Sequence, residues 1–492
     1  MSSSLLSSIN PSTSQSMVDK AERAEIDASA KWPVLLFFGS AVLWLIVGSL
    51  LGLVAAIKMN YPEFLSSASW LTFGRIRPAH LNLVAYGWAA PVGIGVGLWL
   101  MARLCRVRFM HQPLIISAAI IWNIGIIVGT IAILAGDSRG IEWLEFPGYV
   151  SPILFISYAL IGIWSIIMFR FRHPGHVYVS QWYLLAAFLW FPWLYGTAQV
   201  LLVWQPVQGS AQGAINWWFG HNVLGLWFTP IALASAYYMI PKVIGRPIHS
   251  YYLSILGFWA LAFFYSWNGL HHVIGGPFPS WLISASVVAS MMMFVPVITV
   301  AINHHSTMRG SFDALKWSPT LRFTVFGSFM YTIVSFQGSL MAVPQLNALF
   351  HFTDYTIGHS HLGMYSFFSM VMFGAMYYIV PRLVDWEWPS ASLIRWHFWL
   401  SAIGITIMVA ALTIGGVLQG FGLNDPQVTF NSIIEFSWIW RAIRSLSGFA
   451  LLLAHILFAI SFTLMVLKVG QKTSRPTYFT DSKNNQSKAA AV

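Results

Sequence analysis

Residues 353–380 read TDYTIGHSHLGMYSFFSMVMFGAMYYIV. After His361 the run carries no charged side chain, and the whole is long enough to cross ~30 Å of hydrocarbon as a helix. Its first turns nevertheless hold two imidazoles, His359 and His361, which are costly inside lipid unless they are paired or bound to a metal. The rest of the chain is built in the same way: 57% of its 492 residues are hydrophobic and 8% are charged. A soluble globular chain is about 45–50% apolar and about 25% charged. There are too few charged side chains to cover soluble domains, so a water-soluble protein is excluded. The net charge of +11 is therefore read from where the Lys and Arg fall, and no nucleic-acid partner is expected. The single cysteine, Cys105, excludes a disulfide framework, and no Cys-x-x-Cys-His occurs to attach a c-type haem.

Apolar runs of membrane-spanning length lie at 33–57, 79–102, 113–135, 149–169, 181–204, 213–240, 251–273, 281–302, 321–346, 353–380, 396–420 and 444–467. The expected fold is an all-α, polytopic membrane protein with twelve transmembrane helices. Residues 1–30 form a polar N-terminal cytoplasmic extension, 31–468 the twelve-helix core and 469–492 a polar cytoplasmic tail. With twelve spans both termini share one side of the membrane. Of the 26 basic residues only Lys58, Arg75, Arg77, Arg139, Arg441 and Arg444 fall on the other side, so the termini are cytoplasmic.

That orientation brings six histidines from four helices to one level in the outer part of the membrane. They are His80 at the start of the second span, His221 in the sixth, His271 and His272 ending the seventh, and His359 and His361 in the tenth. His111, His173, His176, His249, His304, His305 and His397 read as residues in or beside cytoplasmic loops, and His455 as a packing residue of the last span. At 100° per residue His359 and His361 point about 200° apart, so they serve two centres flanking one helix. His221, His271 and His272 supply three neutral nitrogens, a set suited to copper or zinc. His80, His359 and His361 can ligate two flat macrocycles, one from both faces and one from a single face that leaves iron open to a ligand such as dioxygen. Arg75, Arg77, Arg441 and Arg444 cluster at outer helix ends, where they can clamp carboxylates.

Gly74-Arg75-Ile76-Arg77-Pro78-Ala79-His80, Trp217-Trp218-Phe219-Gly220-His221-Asn222, Tyr265 six residues before His271-His272, Thr353 to His361, and Arg441-Ala442-Ile443-Arg444 together resemble subunit I of the haem-copper oxygen reductases. The resemblance is closest to the cbb3-type (C-family) cytochrome c oxidases and covers roughly residues 30–468. It implies that His80 and His361 are axial ligands of a low-spin haem b, that His359 binds a high-spin haem, b-type here, and that His221, His271 and His272 hold copper. It makes Tyr265 the redox-active tyrosine, cross-linked to His221. Ser254 lies three turns before Tyr265 on the same stripe and, with Thr229, is the expected proton path. Glu145 resembles the family's calcium-binding glutamate, and His351 and Asp354, with Arg441 and Arg444, are expected near haem propionates.

The function so implied is the catalytic subunit of a respiratory terminal oxidase, a cytochrome c oxidase of the bacterial cytoplasmic (inner) membrane. It would take electrons from a membrane-anchored c-type cytochrome subunit, pass them through haem b to the haem-copper centre and reduce dioxygen to water, with coupled proton translocation. The alternative within the superfamily is nitric oxide reduction, whose enzymes carry a glutamate one turn after the sixth-helix His; that position is Gly225. A secondary transporter would bring its polar residues to the bilayer midplane, whereas these six His lie toward one face. The chain departs from the cbb3-type pattern at Gln337, where a glutamate is expected. An amide hydrogen-bonds but does not exchange a proton.

Overall fold

Lipid offers a backbone no hydrogen-bond partner, so each span must satisfy its own N–H and C=O groups. The computed structural model accordingly contains helices and no strand among the described residues, 11–470, with side chains described from residue 19. Twelve helical segments follow the twelve apolar runs: α1 (Pro11–Lys58), α2 (Phe73–Cys105), α3 (Gln112–Ala135), α4 (Gly148–Arg170), α5 (Val179–Trp204), α6 (Ala211–Ile244), α7 (Tyr251–Tyr265), α8 (Ser280–Met308), α9 (Pro319–Met341), α10 (Asp354–Val384), α11 (Ala391–Asn424) and α12 (Phe430–Val466). Ten are long and apolar enough to cross a membrane, which makes this a multi-pass membrane protein. Ser250, Ser318, Ser390 and Thr429 cap α7, α9, α11 and α12, each side chain accepting a backbone N–H from three residues on.

Several spans differ from the sequence reading: the twelfth begins at Phe430 and not near 444, so Arg441 and Arg444 lie within the helix and not at its outer end. The ninth stops at Met341, and a short helix, Pro344–Phe350, leaves it at 103°. Pro344 has no N–H to continue the ladder and forces Val343 into an extended conformation. The seventh run is α-helical only to Tyr265 and ends in a 3₁₀ segment, Asn268–Val273. There Gly269 lies so close to the Trp217 carbonyl that a Cβ would stand 2.5 Å from it. The polar stretch before residue 30 is continuous with α1 from Pro11 on. Its Asp27 is buried against α2, 2.7 Å from Arg103 and 2.9 Å from the Trp99 indole N–H. Residues 1–10 and the tail from 471 onward lie outside the described residues.

α2, α6 and α10 are the central helices, with 94%, 83% and 94% of their apolar windows buried; the other seven long spans bury 39–50%. These three carry His80, His221, His359 and His361. Each also contains a π-helical turn just past its histidines: Leu83–Ala89, Leu224–Phe228 and Leu362–Ser369. A π-turn inserts an extra residue and re-aims the side chains on either side of it, a device concentrated at functional sites.

Glycines let α11 close on its neighbours. A Cβ at Gly416 would overlap the backbone of Tyr355, and one at Gly420 the carbonyl of Leu349. At Gly404 the nearest atom is the flexible tip of Leu451, 3.1 Å away. Gly420→Ala is expected to destabilise the fold by about 1–3 kcal/mol or more, and Gly404→Ala by about 0.5 kcal/mol or less. Thermal midpoints followed by circular dichroism separate the two; equal losses would contradict this packing.

Candidate functional site

A cavity of about 490 Å³ opens among α1, α2, α6, α9, α10 and α12 and is lined by His80, His221, His271, His272, His359 and His361. Their hydrogen bonds fix which ring nitrogen faces it. A neutral imidazole has one N–H, and where Nδ1 gives that hydrogen to an acceptor, Nε2 keeps its lone pair. His80 Nδ1 lies 2.7 Å from the Gly48 carbonyl, and His361 Nδ1 lies 2.8 Å from the Ile357 carbonyl. A carbonyl only accepts, so both rings present Nε2. Gly52 on α1 makes room for the first of them: a Cβ there would stand 2.5 Å from His80 Cε1.

His359 Nδ1 lies 3.0 Å from Gln337 Oε1 on α9. Next to it, Gly338 leaves the space that the His359 ring occupies, a Cβ there being 3.0 Å from His359 Cε1. His271 Nδ1 lies 2.8 Å from Ser290 Oγ, whose own hydrogen goes to the Ser286 carbonyl. Ser290 is therefore the acceptor and Nε2 of His271 is free.

One nitrogen of each of His221, His271 and His272 lies within 4.8 Å of the others, the one such group of three or more potential metal ligands among the described residues. His221 Nδ1 is buried with no hydrogen-bond partner, and His272 is held by stacking on Trp217, ring centroids 4.0 Å apart. Three imidazoles without a carboxylate or thiolate, one nitrogen orphaned, fit a borderline metal such as copper. The Tyr265 ring packs on His221 with centroids 4.5 Å apart. A Cβ at Gly225 would overlap the Tyr265 ring. Gly225 and Tyr265 are therefore one geometric fact, since a glutamate at 225 has no room while the tyrosine is present.

The remaining expected residues divide. Arg444, His351 and Thr229 line the cavity. Arg441 and Asp354 turn away from it and pair with each other at 3.2 Å, with Asp354 also accepting from Gln419 Nε2 at 2.6 Å. Arg77 lines the mouth and holds Glu142 through both guanidinium nitrogens, at 2.8 and 3.2 Å. Ser254 is fully buried and gives its hydroxyl to the Tyr251 carbonyl, away from the cavity lining.

His304 and His397, read from the sequence as loop residues, are both buried inside the bundle. His304 bonds Ser328 through Nδ1, packs on Tyr237 at 4.4 Å between ring centroids, and has Nε2 buried without a partner. The Tyr183 hydroxyl, stacked with Tyr237, and Thr324 Oγ1 are unpaired as well. These groups fill the interior toward Tyr331, which lines the cavity.

The family model of cytochrome c and quinol oxidase polypeptide I matches residues 32–450. The chain is 31% identical over 456 residues to a bacteroid cytochrome c oxidase subunit 1 homologue of Bradyrhizobium diazoefficiens, covering 88% of this chain and 81% of that one. It is 31% identical over 407 residues to the cbb3-type cytochrome c oxidase subunit CcoN1 of Stutzerimonas stutzeri, covering 80% and 85%. Its fold matches the electron cryo-microscopy structure of a haem-copper terminal oxidase dimer with a TM-score of 0.69 at 15% identity, over 95% of this chain and 89% of that one.

Glu145, in the loop before α4, is buried rather than solvated. Oε2 accepts from Asn82 at 2.9 Å and Oε1 has no partner. Burial, reinforced by the nearby Glu142 carboxylate, raises its pKa from 4.5 to about 7. A carboxyl whose folded pKa lies above its unfolded one gives stability that is complete below pH 4.5 and is lost as pH rises through about 7. In the absence of a bound cation, thermal stability should fall across that window by an amount on the order of 3 kcal/mol. Glu145→Gln should flatten the profile; an unchanged profile in the variant would contradict the assignment.

Proposed function

Because the chain belongs to the cytochrome c and quinol oxidase polypeptide I family, we propose that it is the catalytic subunit of a respiratory terminal oxidase that takes electrons from a c-type cytochrome and reduces dioxygen to water. The observation that carries this reading is the single cavity into which six imidazoles bring free ring nitrogens. In it His80 and His361 would hold a low-spin haem b, His359 a high-spin haem of b type, and His221, His271 and His272 copper. Bound there, these groups supply a relay for single electrons and the centre at which dioxygen is bound and reduced.

The protein's part is to fix ring nitrogens, guide protons and bind anionic edges. Gly48, Ile357, Gln337 and Ser290 take the Nδ1 hydrogens, which orients each ring and raises the basicity of its ligand nitrogen. Tyr265 sits against His221 with a phenol that can lend one electron and one proton. The buried groups His304, Tyr183, Tyr237 and Tyr331 are the proton route we assign from the terminus side, with Ser254 and Thr229 beside it. Arg444 and His351 line the cavity and would meet the haem carboxylates, while Arg441 and Asp354 pair with each other. The unpaired Glu145 Oε1 is the oxygen we assign to calcium. Gln337 keeps the hydrogen bond to His359 but does not carry a proton, so proton uptake for pumping runs through other groups. Lacking the motif for a covalently held haem, the chain receives electrons from a separate, membrane-anchored cytochrome subunit in the bacterial inner membrane, with its termini on the cytoplasmic side.

The complex should consume dioxygen with reduced cytochrome c as donor. His272→Ala should remove copper and lower turnover by about 100-fold or more while leaving the low-spin haem spectrum intact. Full turnover in a copper-free variant would overturn the reading. Gln337→Leu, which deletes the acceptor for His359, should cost about 10–100-fold in turnover. Gln337→Glu should make that bond charge-assisted and lower the midpoint potential of the high-spin haem; an unshifted potential would show that Gln337 does not act through His359.

A further inference from the structure

His455 on α12, read from the sequence as a packing residue, joins both sides of the proposed low-spin site. Its Nδ1 lies 2.7 Å from Ser49 Oγ, and Ser49 gives its own hydrogen to the Leu45 carbonyl at 2.6 Å, so Ser49 is the acceptor. Ser49 shares a peptide unit with Gly48, whose carbonyl holds His80 Nδ1. The other nitrogen of His455, Nε2, lies 2.8 Å from the hydroxyl of Tyr365, one turn past His361 on α10. That hydroxyl also lies 3.1 Å from Ser401 Oγ on α11.

This geometry satisfies two protonation states without moving a heavy atom. With His455 neutral, Tyr365 donates to Nε2. With His455 cationic, Nε2–H donates to the Tyr365 oxygen and Tyr365 turns its hydrogen to Ser401. The groups facing His455 are Ser49 from α1, Tyr365 from α10, and Ser401 and His397 from α11, with no carboxylate among the described residues. A buried imidazolium without a counter-charge is costly. An electron arriving on a haem held by His80 and His361 would supply the missing negative charge.

We propose that His455 is a proton-exchange site coupled to the haem held by His80 and His361: as the electron arrives, Nε2 binds one proton, and as the electron leaves, the proton is released. The electron is the one the oxidase reaction delivers, so charge balances at each step. His397 continues the route. It lies one turn before Ser401 and bonds the Tyr377 hydroxyl at 2.8 Å through Nδ1, and its Nε2 is buried without a partner. Since α11 begins at Ala391, His397 stands near the end of the bundle where the basic loops lie.

The inference rests on the haem assignment above and is tested on the purified holo-complex by redox titration of the low-spin band at several pH values. One proton per electron is a tenfold change per pH unit, or 59 mV for a one-electron couple. The native midpoint potential should fall with pH by at least half of that slope. His455→Gln, which cannot ionise, should reduce the slope by more than half with the band position kept. Tyr365→Phe should slow proton uptake on flash reduction without abolishing the slope. A native potential independent of pH, or a slope unchanged in His455→Gln, would overturn the inference, and the first needs no variant to fold. Absence of the low-spin band in the native complex would instead overturn the haem assignment.

Discussion

A buried imidazole has one hydrogen to give and one lone pair to offer, and in a membrane bundle both have to find partners. That constraint orders the interior of this protein. At His80, His361, His359 and His271 the hydrogen goes to a carbonyl, an amide or a hydroxyl behind the ring, which leaves the lone pair facing the cavity. At His221 the free nitrogen has no protein partner at all. The acceptors come from α1, α8, α9 and α10, so the site is oriented by elements that do not all contribute a ligand. The oxidase reading depends on these bonds more than on the ligands alone, because a ring turned the other way would present N–H to the metal.

The fold supplies this arrangement by burying three helices on nearly all sides and interrupting each with a π-turn beside its histidines. Glycines then set the distances. Gly52 admits the His80 ring, Gly338 the His359 ring, Gly225 the Tyr265 ring, and Gly420 the Leu349 carbonyl. The choice of Gly225 also separates oxygen chemistry from nitric oxide chemistry on steric grounds, since the tyrosine that packs on His221 fills the space a glutamate would need.

Much of this was legible in the sequence because the signals were long or clustered. Apolar runs marked the spans, and six histidines in or beside those runs marked residues that line one cavity. What stayed hidden depended on single contacts between distant helices. His304, His397 and His455 each look like a lone histidine at a helix end or in a packing position, and only their bonds to Ser328, Tyr377, Ser49 and Tyr365 give them a role. Gln337 stood out as a departure from a pattern, yet its contact with His359 spans two helices and has no local signature. The Arg441–Asp354 pair could not be told from two residues facing a ligand, because helical position alone does not say whether a guanidinium meets a carboxylate of the protein or of a haem. The bend at Pro344 was the reverse case, where a visible proline was outweighed by an apolar run continuing past it.

The central claim is that these six histidines hold two haems and a copper. Iron, copper and extractable haem measured per chain in the purified complex test it most directly. Two b-type haems and one copper on this subunit, with no non-haem iron, are expected; one haem alone, or non-haem iron in place of copper, would show that the six histidines hold other groups.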